Sequence, residues 1–209
     1  MSSIATKAIQ RGDTPQLIKA LIGSMKEKME VDEDKFPELI GEVERYAADC
    51  SDTASVAVLH SMVAEMYHHY YTSNQRKIDG RHDIAGYTPE DIREWTTGHF
   101  TQKIQEELAA SLHESRLLRN TSAHSFRAIM ETGKDASVLR PSLYDFLAFR
   151  ALDIAPSDEL YQQVISYLNT LPNKKATVLT TLSYLRFRYA DASSEKCRKE
   201  YIEIGRAHV

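Results

Sequence analysis

Leu59–Phe100, LHSMVAEMYHHYYTSNQRKIDGRHDIAGYTPEDIREWTTGHF, decides how the chain is read. It begins inside an amphipathic helix opened by Ser51-Asp52-Thr53. There Val56, Leu59, Val63, Met66, Tyr67 and Tyr70 recur at helical spacing and predict a stripe facing the preceding helices. Ser73–Tyr87 consists of polar and turn-forming residues, with Asp79-Gly80 and Gly86 as reversals, and predicts a loop. Loops of that length without structure of their own are uncommon in compact domains, so this one is expected to be pinned or functional. Thr88-Pro89-Glu90-Asp91 then predicts a helix start, with a threonine cap, proline in the first turn and two acids at the positive end of the dipole. Ile92 and Trp95, the only tryptophan, anchor one face. Phe100, Ile104, Leu108 and Leu112 carry that helix on to about Arg119, with Ser111 and Ser115 allowing a neighbour to approach closely.

Upstream, Gly12-Asp13-Thr14-Pro15 reads as a helix start. Ile18, Leu21, Ile22, Met25 and Met29 form its apolar face. Asp34 is placed to cap a second helix carrying Phe36, Leu39, Ile40, Val43, Tyr46 and Ala47, and the two are expected to pair antiparallel. Downstream, His124–Met130 predicts a short helix ended by Gly133. Ser142, with Asp145 three residues on, caps SLYDFLAFRALDI. This segment is apolar nearly all round, which predicts a helix sandwiched between others. Pro156-Ser157 and Pro172-Asn173 separate two further helices, with Leu160, Val164, Ile165 and Leu168 on one and Val178, Leu182, Leu185 and Tyr189 on the other. Thr177–Tyr184 is the one ambiguous patch, being rich in β-branched residues. The expectation is an all-α fold of eight or nine helices, arranged as stacked antiparallel hairpins (an α-solenoid, TPR-like, or an irregular bundle).

Composition bounds the function. With 42% hydrophobic and 27% charged residues, the chain of 209 is an ordinary globular mixture. A net charge of −4 argues against a nucleic-acid partner, which calls for a basic face. Cys50 and Cys197 fit no metal spacing; the sequence leaves their pairing open, and the plain reading is two unrelated buried thiols. No window is apolar enough for a membrane span, and the first residues lack the apolar core of a secretory signal. Ile4, Ala5, Ala8 and Ile9 read as the last turns of a helix begun before Met1. The closing EIGRAHV, Glu203–Val209, resembles a translated sequencing adapter. Residues 1–202 are therefore expected to be one helical domain from a longer protein, and 203–209 an artefactual tail.

Glu65-Met-Tyr-His68-His69 is the most tempting chemistry, because Glu-x-x-His is the arrangement di-iron bundles use. A second copy is lacking, and Glu65 and His69 project opposite the apolar stripe toward solvent or a partner, so no metal site is expected. His60 borders the stripe and reads as a packed, hydrogen-bonded histidine. Arg76, Lys77, Arg81 and His82 would suit an anion, but Asp79 and Asp83 interleave with them and local ion pairing is expected. Arg150 lies inside an apolar stripe and needs a partner, Asp153 or a loop carboxylate. Trp95 with Tyr87 is expected to pack the loop onto the bundle, or to line a binding groove. The residues singled out for partner binding or loop anchoring are thus Arg76, Arg81, Tyr87 and Trp95. No nucleophile elbow, phosphate loop or H-E-x-x-H occurs, and no catalytic residue, cofactor or small-molecule substrate is expected.

Three segments together resemble the helical N-terminal region of large bacterial alpha-2-macroglobulin-like proteins: Leu59–Phe100, Val138–Ile154 (VLRPSLYDFLAFRALDI) and, more weakly, Asp13–Glu30. The Tyr-Tyr helix, the loop into Asp-Ile-Arg-x-Trp, and Arg-Pro-x-Leu-Tyr-Asp-Phe-Leu carry the resemblance. It implies an exported, often membrane-anchored protein of the cell envelope, built of macroglobulin β-sandwiches with a bait segment, that traps or inhibits endopeptidases. Neither bait nor thioester has a counterpart here, so no functional residue carries over. The implied role is a non-catalytic scaffold whose partners are the macroglobulin-like domains of the same full-length chain and, through them, proteases. The alternative is a free-standing helical-repeat adaptor that binds a peptide or protein.

Overall fold

The structure, a computed structural model, describes residues 14–31, 35–83, 87, 89–130 and 139–189, with only the backbone of residues 26 and 29–31. Asp13, Asp34, Gly86, Thr88, Gly133, Val138, Cys197 and the Glu203–Val209 tail lie outside the described residues, as does the side chain of Met29. Among the described residues there are eight α-helices: α1 Thr14–Val31, α2 Phe36–Asp49, α3 Thr53–Ile78, α4 Thr97–Leu112, α5 Ser115–Asn120, α6 Leu143–Ile154, α7 Asp158–Asn169 and α8 Lys175–Arg188. Two 3₁₀ turns, Ile92–Glu94 and Ala123–Phe126, lie in the connections. No strand occurs among the described residues. An antiparallel bridge between Ser122 and Ser142 docks the start of α6 beside the end of α5. The ambiguous Thr177–Tyr184 patch is helical, inside α8.

α3 is the axis. It packs on α1, α2, α4 and α6, and Asp52 starts it by accepting from the main-chain N–H of Ser55 at 3.0 Å. Leu59, Val63, Met66 and Tyr67 of the expected stripe are buried, but so are Ala54, Ser55, Ala57, Val58, Ser61 and Ala64. The one-sided stripe therefore gives way to a helix enclosed on most sides. Alanines and serines on the second side leave room for other helices to lie close.

Side-chain pairs fix the directions. His60 faces Glu107 and Tyr67 meets Phe100, so numbers rise along α3 as they fall along α4. Tyr161 meets Phe187 while Asp158 meets Arg188, making α7 and α8 another antiparallel hairpin. α6 joins the halves by packing on α3, α4, α5 and α7. Its Leu143, Tyr144, Leu147, Ala148 and Ala151 are fully buried, consistent with an element apolar on nearly every side. α1 is tied to α2 by Lys28 and Glu42 at 2.7 Å.

Three expected boundaries shift. α3 does not end at Ser73 but runs to Ile78, whose side chain is fully buried and holds the last turn down. The helix expected at Thr88-Pro89 begins instead at Thr97, after a 3₁₀ turn opened by Asp91, which accepts from the Arg93 N–H at 2.8 Å. The indole of Trp95 donates to the Pro89 carbonyl at 2.9 Å, which holds this segment in a folded-back course instead of a helix. The helix expected to reach Arg119 stops at Leu112 and resumes as α5 after a turn at His113-Glu114.

Candidate functional site

The described part of the connection from α3 to α4 is pinned by its polar side chains. Asp79 accepts from the Tyr71 hydroxyl at 3.0 Å and from Thr97 at 2.9 Å. Asp83 accepts from the Thr96 hydroxyl and lies 3.6 Å from the His99 ring. Arg81 reaches across to donate to the Trp95 carbonyl at 2.7 Å. The ion pairing expected among these charges is therefore replaced: hydroxyls and a main-chain carbonyl, brought close by the start of α4, supply the partners. Trp95 does anchor the connection, but its aromatic partner is Tyr67, stacked at 5.3 Å with the rings 9° apart, and not Tyr87. Phe100 meets the Trp95 edge at 5.2 Å. Tyr87 is 52% exposed, its hydroxyl donating to Glu94 at 3.4 Å. Arg76 is exposed on the last turns of α3. Of the four residues singled out, Arg81 and Trp95 meet each other, while Tyr87 and Arg76 face outward.

A chain of titratable groups crosses α2, α3 and α4. His60 Nδ1 lies 2.7 Å from one Glu107 oxygen, and Lys103 Nζ donates to the other at 2.7 Å. Lys103 also reaches Glu44 at 2.9 Å, and the Tyr67 hydroxyl donates to Glu44 at 3.1 Å. Burial would push the Glu107 carboxyl up, but the bonds from His60 and Lys103 outweigh it and hold its pKa below the ordinary value. Burial likewise works against the Lys103 charge, and the two glutamates overcome it and raise its pKa. The Tyr67 phenol is pushed upward by burial first and by Glu44 next. His60 is the hydrogen-bonded histidine expected. Glu44, Lys103 and Glu107 had not been singled out; the one local signal was the i,i+4 spacing of Lys103 and Glu107.

The Arg-Pro-x-Leu-Tyr-Asp-Phe-Leu segment serves the start of α6. Ser142 and Asp145 cap it reciprocally, the Ser142 N–H donating to the carboxylate at 3.0 Å and the Asp145 N–H to the serine oxygen at 3.2 Å. Arg140 lies 4.5 Å over the Phe149 ring, and Arg119 of α5 stacks over Tyr144 and Tyr167 at 4.6 and 4.2 Å. Burial raises the Asp145 carboxyl above its ordinary value despite the Ser142 bonds and the positive charges of Arg119 and Arg140.

Glu65 and Arg150 correct an expectation. The arginine pairs with neither Asp153 nor a loop carboxylate but with Glu65 of α3, because the crossing of α3 and α6 brings these two together. His69 lies edge-on to Phe36 at 5.6 Å. Among the described residues, no group of three His, Cys, Asp or Glu side chains is placed to hold a metal ion. Cys50 is half-buried, its thiol donating to the Asp52 carbonyl at 3.7 Å. A groove of about 200 Å³ runs between α6, α7 and α8, with Arg140, Asp153 and Tyr161 in its wall and Leu179 at its edge, 45% exposed. No described helix is long and apolar enough to cross a membrane.

No model of a known protein family matches the chain, and no curated protein or solved structure matches it.

Proposed function

We propose that this chain is a non-catalytic helical scaffold, the module that the resemblance to bacterial alpha-2-macroglobulin-like envelope proteins implies. One observation carries the scaffold reading. The strongest assembly of ionisable groups, His60–Glu107–Lys103–Glu44–Tyr67, is consumed in closing three helices on one another. Both Glu107 oxygens are occupied and Lys103 sits between two carboxylates. A general acid or base needs an atom within reach of a substrate, whereas these atoms meet other atoms of the chain. The segments that carry the resemblance take part in the same construction: Leu59–Phe100 supplies α3 and its pinned connection, and Arg140–Ile154 supplies α6. The role assigned is to present neighbouring macroglobulin domains, which in the full-length protein trap endopeptidases in the cell envelope.

The test is the complete reading frame around these residues, followed by a binding measurement between this chain and the domain encoded next to it. A downstream run of β-sandwich domains that binds the helical module supports the proposal. A frame that encodes no such domain, or a neighbouring domain that does not bind, refutes it. The adaptor reading has one observation in its favour, the groove of α6, α7 and α8 with the exposed Leu179 beside it.

A further inference from the structure

A second recess, between α1, α3, α6 and the Ile129–Met130 segment, is lined by hydrocarbon, Ile22, Val58, Phe146 and Leu147 among it, and by two polar side chains, Ser61 and Arg150. Ser61 is 1% exposed and its hydroxyl has no hydrogen-bond partner among the described residues. The Nε of Arg150 is likewise buried and unpartnered. Unpaired donors away from water are costly, so two of them on one small recess call for an explanation. Their convergence follows from the fold: Ser61 and Glu65 lie one turn apart on the same face of α3, and Arg150 is held to Glu65 through its terminal nitrogen. The Ser61 and Arg150 side chains both line the recess. Glu65 is 55% exposed, so water screens its charge while the arginine side chain is mostly covered.

We propose that this recess binds one small monovalent anion, of the size of chloride or formate. Its volume of about 60 Å³ suits one such ion or about two waters. The lining chemistry selects the ion. Both unpartnered groups are able to donate, and the neighbouring side chains are apolar. A water accepting from both would turn its own hydrogens toward hydrocarbon, whereas an anion only accepts. The positive charge of Arg150 adds attraction that a neutral guest would not use.

The test is thermal unfolding of the whole chain, titrated with sodium chloride, formate or bulky gluconate at constant ionic strength. A ligand bound only to the folded state raises the midpoint in proportion to its occupancy. Chloride and formate are expected to raise it along a saturating curve that gluconate does not reproduce. Ser61→Ala and Arg150→Lys each remove one donor, the lysine still offering a cation to Glu65, and each is expected to move half-saturation about tenfold higher. Curves identical for chloride and gluconate, or curves unchanged in both variants, overturn the proposal. Crystals of the unaltered protein soaked in bromide give an independent reading: an anomalous peak between Ser61 and Arg150 supports the site, and water alone there refutes it.

Discussion

Replacing Glu107 by glutamine tests whether the three-helix tie holds the fold together. The side chain is 9% exposed and accepts two charge-assisted bonds, from His60 and Lys103. Such bonds contribute about 1.5–3 kcal/mol each when well covered. Here the partners are 28% and 27% exposed, so screening favours the lower figure. Glutamine keeps the shape and one acceptor for Lys103, losing the charge and the second acceptor. The expected cost near neutral pH is about 2 kcal/mol, read as a urea midpoint lower by about 1 M. The pH dependence gives the sharper reading. Because the folded pKa of Glu107 lies below its ordinary value, its contribution is present above the unfolded carboxyl pKa of about 4.3 and is lost as pH falls through the lower folded value. The two proteins should therefore converge in acid. A gap that persists unchanged into acid, or no gap at neutral pH, refutes the role given to this carboxylate.

Asp145 has the opposite sign. Its folded pKa is raised, so the charged form opposes folding and stability falls as pH climbs from the unfolded pKa of about 3.9 through the folded value. Asp145→Asn, which keeps an acceptor for Ser142, is expected to be neutral or up to about 1 kcal/mol stabilising near neutral pH, with the difference fading in acid; a clear loss of stability in calorimetry would contradict this. Leu147→Ala at the buried centre of α6 should cost about 2–5 kcal/mol in denaturant unfolding, and a smaller cost would mean that α6 is not enclosed. Arg81→Ala removes the bond to the Trp95 carbonyl and should leave the melting temperature within a few degrees. The same change should speed amide exchange around Asp79–Trp95 and alter the emission of the sole tryptophan; unchanged exchange would show that the connection is held by other contacts.

The all-helical class was legible because stripes such as Leu39-Ile40-Val43 and Leu160-Val164-Leu168 state a helical period locally. What the sequence hid was decided by tertiary neighbours. Ser73–Lys77 is polar enough to read as loop, yet Ile78 beyond it is buried and extends α3 through those residues. The missed signal was Tyr67, Tyr71 and Ile78, which keep one face of a helix across the polar stretch. Thr88-Pro89 carried the local chemistry of a helix start, but the hydrogen bond from Trp95 to Pro89 holds the chain in another course. The partner of Arg150 lies 85 residues away in sequence, beyond the reach of any spacing rule. Of the candidate site, Arg81, Trp95 and His60 were visible as types that need partners. Their actual partners follow only from the register of α3 against α4 and the crossing of α3 with α6.

The enclosure of α3 sets how such a chain can diversify. Its middle turns touch four other helices, so exchanging Ala57, Ser61 or Ala64 for a larger residue demands matching retreats on the far side, and single steps of that kind are disfavoured. Among the described residues the outer faces of α7 and α8 carry no such constraint. Kinship among proteins built this way would thus survive longest in the small side chains of one inner rod, while the visible exterior is rewritten.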